Sequence, residues 1–149
     1  MKTLISTIDS VARQAGIKVL APLRGKALGF VLAFKAYQDV ADHQSGIMVV
    51  QPQGYLDFSY LSAHAMGVIT DSGNVAEEAT FNGVPCITLN SYTEHQETVT
   101  VGTNELVAED PEKLQQAMEK IVKGEWKKGG IPDRWDGRSA ERIVQIICG

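Results

Sequence analysis

Apolar residues along the chain alternate between helical spacing and short unbroken runs. Leu4, Ile5, Ile8, Val11, Ala12 and Ala15 fall on one helical face, and Gly16 suits the stop that follows. Ile17 to Ala21 is a short β-branched run ended by Pro22 and predicts a buried strand. Lys26 to His43 predicts a second helix, weakened at Gly29, and Ile47 to Val50 a second strand closed by Gln51-Pro52-Gln53-Gly54. Tyr55 to Ala65 predicts a third helix with Leu56, Tyr60, Leu61 and Ala65 turned inward. Val68-Ile69-Thr70 is a third strand. It runs through Asp71-Ser72-Gly73 into a helix from Val75 to Phe81. Gly83-Val84-Pro85 turns the chain into a fourth strand, Cys86 to Leu89. A polar loop, Asn90 to Glu97, leads to a short helix and a fifth strand, Glu105-Leu106-Val107. Asp110 caps and Pro111 opens a helix to Val122, Gly124 to Gly137 is irregular, and Ser139 to Ile147 is the last helix.

Strands alternate with helices throughout, and each strand is a short apolar run. That pattern means an α/β fold, a parallel sheet with helices on both faces. Such sheets bind ligands beyond the carboxyl ends of their strands. The loops to watch are therefore 22–26, 51–55, 71–74 and 90–97.

Composition narrows the function classes. With 149 residues, a single domain is expected. Hydrophobic residues make up 44% and charged residues 21%, which excludes a disordered or collagen-like chain. The longest apolar run, Ala27 to Phe34, is far short of the about 20 residues of a membrane span, so no membrane partner is expected. A net charge of −4 argues against non-specific nucleic-acid binding. Cys86 and Cys148 form no metal or redox spacing and read as buried apolar residues in a reducing cytosol. The start resembles a signal peptide, but its apolar stretch is short and Asp9 breaks it, so a cytoplasmic protein is expected.

Three stretches carry candidate chemistry. In Thr70-Asp71-Ser72-Gly73-Asn74 a strand ends and a helix begins. The first N–H groups of that helix lack partners, so with the helix dipole they form an anion site that Gly73 lets a ligand approach. Glu78, further along, suits sugar hydroxyls. The plainer reading is a serine cap with two glutamates at the positive helix end. The second stretch, Asn90 to Thr98, contains His95 flanked by Glu94 and Glu97. Its spacing fits no established metal-ligand set and reads as a solvated loop, so no metal is expected. His43 and His64 read as dipole contacts near helix ends. The third stretch, Trp126 to Arg138, mixes basic and aromatic residues and reads as an ordered loop packed across the domain.

Taken in order, these stretches resemble one family, the non-hydrolysing bacterial UDP-N-acetylglucosamine 2-epimerases. The matching residues are Gly54 to Phe58, Ile69 to Gly73, Glu77-Glu78-Ala79, Gly83 to Cys86, Thr93-Glu94 with Glu97-Thr98-Val99, Gly102 to Val107, Trp135-Asp136-Gly137 and Ala140 to Ile143. The resemblance is dense from Gln51 onward and looser before it. It implies a Rossmann-like three-layer domain, the C-terminal half of a GT-B fold, holding UDP or UDP-N-acetylglucosamine. Ser72, Gly73 and Asn74 would contact the diphosphate and Glu78 the ribose. His95, Glu94 and Tyr55 are further candidate contacts. No cofactor is implied, and no catalytic residue is expected in this chain, because the family's catalytic carboxylates lie in a separate N-terminal domain. The family eliminates UDP to a glucal and adds it back on the other face, giving UDP-N-acetylmannosamine. Its members are usually dimers.

The departures from the family carry expectations too. The strand and His-Arg motif that open the family's C-terminal domain are not matched, so the domain 1–149 is incomplete at its start and its sheet should be disturbed. Leu23-Arg24-Gly25 replaces a His-Pro-Arg stretch. Asn74 replaces a second glycine, Asn90 and His95 replace arginines, and Gln96 replaces a proline. Lost arginines weaken a diphosphate grip, since arginine pairs with phosphate bidentately. The exposed strand edge predicts a homo-oligomer. The alternatives are a related module that has lost the ligand and acts in binding or self-association, and a dinucleotide binder, whose glycine fingerprint Gly25 and Gly29 do not complete.

Overall fold

The computed structural model describes residues 2–40 and 44–149, so His43 lies outside the described residues. Elements alternate as the pattern predicts: α1 (Lys2–Ala15), β1 (Val19–Ala21), α2 (Gly25–Val40), β2 (Ile47–Val49), α3 (Tyr55–Ala63), β3 (Val68–Thr70), α4 (Gly73–Phe81), β4 (Cys86–Thr88), α5 (Gln96–Thr100), β5 (Asn104–Leu106), α6 (Pro111–Val122) and α7 (Ser139–Cys148). Gly16 closes α1 at φ +68°, a conformation glycine takes without strain. Asp110 caps α6, its carboxylate accepting from the N–H groups of Glu112 and Lys113.

All strand pairing is parallel, but the strands fall into two sheets. β1 pairs β2, and β3-β4-β5 form a separate sheet. Val19 N–H donates to Gly46 O and Val50 N–H donates to Ala21 O. Parallel ladders alternate, so the N–H and C=O of Leu20 face away from β2. Val68 N–H donates to Pro85 O and Leu89 N–H to Thr70 O, which leaves Ile69 turned away from β4 in the same way. Among the described residues β1 and β3 each keep one unpaired edge.

The three-stranded sheet is covered on both faces. Ile87 joins Leu4 and Val11 of α1 with Leu114, Ala117 and Met118 of α6. Its neighbour Cys86 points the other way, to Ala76 and Ala79 of α4. Burial removes the thiolate's hydration and pushes the Cys86 thiol up to about 12. The β1-β2 ribbon differs. Ala21 and Ile47 pack on Ile5 of α1 and Val31 of α2, while Leu20 and Met48, on the opposite face, stay 45% and 47% exposed. Helices on both faces therefore hold for one sheet only. Ile8 of α1 packs against both cores and ties them together.

Two expectations are corrected. Leu56, Tyr60 and Leu61 of α3 are exposed rather than turned inward, because α3 meets little beyond α4 and leaves the open ribbon face uncovered. Cys148 is exposed rather than buried, because α7 buries none of its residues. The first part of the stretch after α6 packs across the domain as expected, whereas 133–138 are exposed apart from the half-buried Trp135. Trp126 Nε1 donates to Thr103 O at 2.7 Å, and Lys127 Nζ donates to the carbonyls of Val99 and Asn104. Burial holds the Lys127 ammonium below its ordinary value.

Candidate functional site

The candidate residues gather around α4, beyond the carboxyl ends of β3 and β4. Thr70 ends β3, and its hydroxyl accepts from Ser72 N–H at 3.0 Å, which shapes the turn. Ser72 is the N-cap of α4, with extended backbone (φ −95°, ψ 125°). Its hydroxyl makes no capping bond, so the expected serine cap is present in the backbone but not in the side chain. Its carbonyl accepts from Ala76 N–H. The N–H groups of Gly73, Asn74 and Val75 therefore open the helix without intrahelical partners.

The loop after β4 closes over this turn. Asn90 Nδ2 donates to Asp71 O at 3.1 Å and links the two strand-end loops. The ring of His95 lies against Gly73 so closely that a Cβ there would sit 2.8 Å from Nε2. The other ring nitrogen, Nδ1, is 3.0 Å from Glu77 Oε1. Gly73, Asn74, Glu94 and His95 line an open cleft of about 190 Å³ with Asn90 and Thr88. Tyr55 and Glu78 line a second cleft of about 360 Å³ on another side of α4, with Glu77, Phe81 and Trp135. The fold thus brings the candidates around one helix, with Gly73, Asn74, Glu94 and His95 in one cleft, Tyr55 and Glu78 in the other, and Ser72 at the helix start lining neither. Among the described residues no lysine or arginine lines either cleft.

A buried polar chain supports the loop. Thr88 Oγ1 donates to Asn104 Oδ1 at 2.8 Å, and Asn104 Nδ2 donates to Thr98 Oγ1 at 3.1 Å. Thr98 Oγ1 in turn donates to His95 O at 2.7 Å. Asn104 and Thr98 are fully buried, so each bond counts for more than it would in water. Spacing gave no sign of this chain or of Glu77 as the partner of His95. The family motifs Gly102 to Val107, Glu97-Thr98-Val99 and Glu77-Glu78 cover Asn104, Thr98 and Glu77, and no motif covers Thr88. Trp135, expected to pack across the domain, stands in a cleft wall. His64, at the C-cap of α3, stacks on Tyr60 with its Nδ1 2.8 Å from Tyr60 O, in keeping with a contact at a helix end.

A sequence profile described as UDP-N-acetylglucosamine 2-epimerase matches residues 1–148. The chain belongs to that family. It is 46% identical over 103 residues to the UDP-N-acetylglucosamine 2-epimerase of Methanocaldococcus jannaschii, covering 68% of this chain and 27% of the relative. It is 30% identical over 151 residues to the enzyme of the same name from Methanococcus maripaludis, covering all of this chain and 40% of the relative. The crystal structure of the M. jannaschii enzyme in complex with UDP-GlcNAc and UDP superimposes with a TM-score of 0.73 at 34% identity. That match covers 99% of this chain and 40% of the other. A Listeria monocytogenes structure with a TM-score of 0.76 and 21% identity shows the same fold. The family domain therefore has a Rossmann-like α/β architecture of the GT-B kind and spans two-fifths or less of the length of these relatives. Among the described residues no helix is long and apolar enough to cross a membrane.

Proposed function

We propose that this chain binds the UDP part of UDP-N-acetylglucosamine through α4, as the nucleotide-holding domain of a 2-epimerase. The observation that carries this is the Thr70–Gly73 turn. It leaves a serine hydroxyl and the first N–H groups of α4 free, at the carboxyl end of a parallel strand. The relative's complex with UDP-GlcNAc and UDP supports the reading. Ser72, Gly73 and Asn74 take the diphosphate, and His95 and Glu94 border it. Glu78 accepts from ribose hydroxyls in the neighbouring cleft, where Tyr55 stands.

The chemistry then divides. Elimination of UDP and its return to the other face of the glucal need an acid and a base, and these come from a separate catalytic domain. The role of α4 is to stabilise charge on the departing diphosphate through oriented N–H groups. The 149 residues act as one unit in this reading, cytoplasmic and homodimeric. The unpaired edges of β1 and β3 and the exposed Ile143, Val144, Ile146 and Ile147 of α7 support association. A module that self-associates without ligand is the second reading, favoured by the absence of lysine and arginine from the clefts.

Calorimetric titration with UDP separates the two. Micromolar-range binding that weakens by about 1–3 kcal/mol in Ser72→Ala and in Glu78→Ala supports the nucleotide site. No heat at millimolar UDP, with a dimer by sizing, supports self-association alone.

A further inference from the structure

We propose that Glu77, His95 and Glu97 hold one divalent transition-metal ion beside the start of α4. The ion site is built from these residues alone. What the ion meets next, a phosphate oxygen, rests on the reading of the Ser72–Gly73 turn as a diphosphate site.

The donors come from two elements. Glu77 lies on α4, His95 is the N-cap of α5, and Glu97 is in the first turn of α5. One ligand atom from each lies within 4.8 Å of the others. His95 Nδ1 and Glu77 Oε1 are 3.0 Å apart. Donors about 2.1 Å from a common ion are about 3 Å apart at a right angle and about 3.4 Å apart at a tetrahedral one. That pair is already at coordination spacing, and Glu97 has a short distance to close. All three residues are partly buried, so little ordering is left for the ion to impose.

Charge points the same way. One carboxylate, Glu77, pairs with the imidazole and a second, Glu97, stands within 4.8 Å of both, and among the described residues no lysine or arginine pairs with either carboxylate. Even a protonated His95 leaves the group net negative. The adjoining cleft adds Glu94 and has no basic side chain beyond His95. A diphosphate entering that cleft meets negative side chains, which a doubly charged cation offsets. One imidazole with two carboxylates suits Zn²⁺, Mn²⁺ or Co²⁺ better than Ca²⁺ or Mg²⁺, which prefer oxygen alone. Three protein ligands also leave coordination positions open for water or phosphate. With Nδ1 on the ion, Nε2 of His95 stays beside Gly73, facing the open turn.

The test is a Zn²⁺ titration of the full untagged chain without nucleotide, repeated with Co²⁺ by visible absorption. One ion should bind with a Kd of about 1 μM, and Glu97→Gln and Glu77→Gln should each weaken it by about tenfold or more. Glu125→Gln, exposed and outside both clefts and the donor cluster, should leave it unchanged. Thermal unfolding checks that each variant is folded. No binding at millimolar ion overturns the proposal, and so does equal binding by both glutamine variants. UDP titrated with a chelator present reads the nucleotide site separately. UDP binding without ion binding removes the metal site alone, and ion binding without UDP binding removes the nucleotide reading alone.

Discussion

The three-stranded sheet and the β1-β2 ribbon use strands of equal length and the same parallel pairing, yet they differ in closure. Every residue of β4 is buried, between α4 on one side and α1 with α6 on the other. The ribbon has helices on one face only, and Leu20 and Met48 meet solvent on the other. The candidate site stands on the closed half. A helix start can hold an anion only if the strand before it and the sheet under it are fixed, and β3 and β4 supply that. The open half carries the unpaired edge of β1 and the exposed side chains of Leu20 and Met48.

The contrast can be broken from either side. Ile87, fully buried in the closed sheet, should cost about 2–5 kcal/mol on truncation to alanine. Met48→Ala in the ribbon should stay within about 0.5 kcal/mol. Chemical denaturation of the two variants measures both, and equal costs would abolish the distinction.

Asp9 sharpens it. This buried carboxylate of α1 accepts from Ser45 Oγ at 2.7 Å and Gly46 N–H at 2.8 Å, fastening the entry of β2 to the shared helix. Asp9→Ala leaves a buried N–H unpaired and should cost about 1–3 kcal/mol. Amide exchange should speed first at β1 and β2, while β4 stays protected. Uniform loss of protection would mean the ribbon does not open separately.

The smallest expected effect lies at α7, outside both sheets. Hydrogen bonds from the Arg142 side chain and the Arg138 N–H hold the Asp136 carboxyl at about 2. A carboxyl lowered by folding stabilises the fold above its unfolded value of about 3.9 and loses that contribution as pH falls through the folded one. The α7 anchor should therefore weaken between about pH 4 and pH 2. A carboxyl-shift titration by NMR checks this, and Arg142→Gln should return Asp136 towards the ordinary carboxylate value.

The strands were legible because β-branched runs bounded by glycine and proline have few alternatives. Val68-Ile69-Thr70 matches β3 residue for residue. The strand-end loops 71–74 and 90–97 were legible for the same reason, since parallel order fixes which loop ends face the ligand side. Which apolar faces find a cover was not legible. Tyr60 and Leu61 carry a core-like pattern, but burial needs a partner element, and the ribbon provides none. The approach of His95 to Glu77 was hidden too, because it joins two elements far apart in sequence. Local spacing offered Glu94 and Glu97 as neighbours of His95, whereas the fold keeps Glu97 and brings in Glu77.

The central claim is that the closed half holds the diphosphate of UDP at the start of α4. Hydrogen–deuterium exchange with and without UDP tests it most directly. The account predicts added protection at the amides of Gly73, Asn74 and Val75 and across residues 90–97, with β1 and β2 unchanged. Unchanged exchange at α4 under saturating UDP, or protection confined to the ribbon, would contradict it.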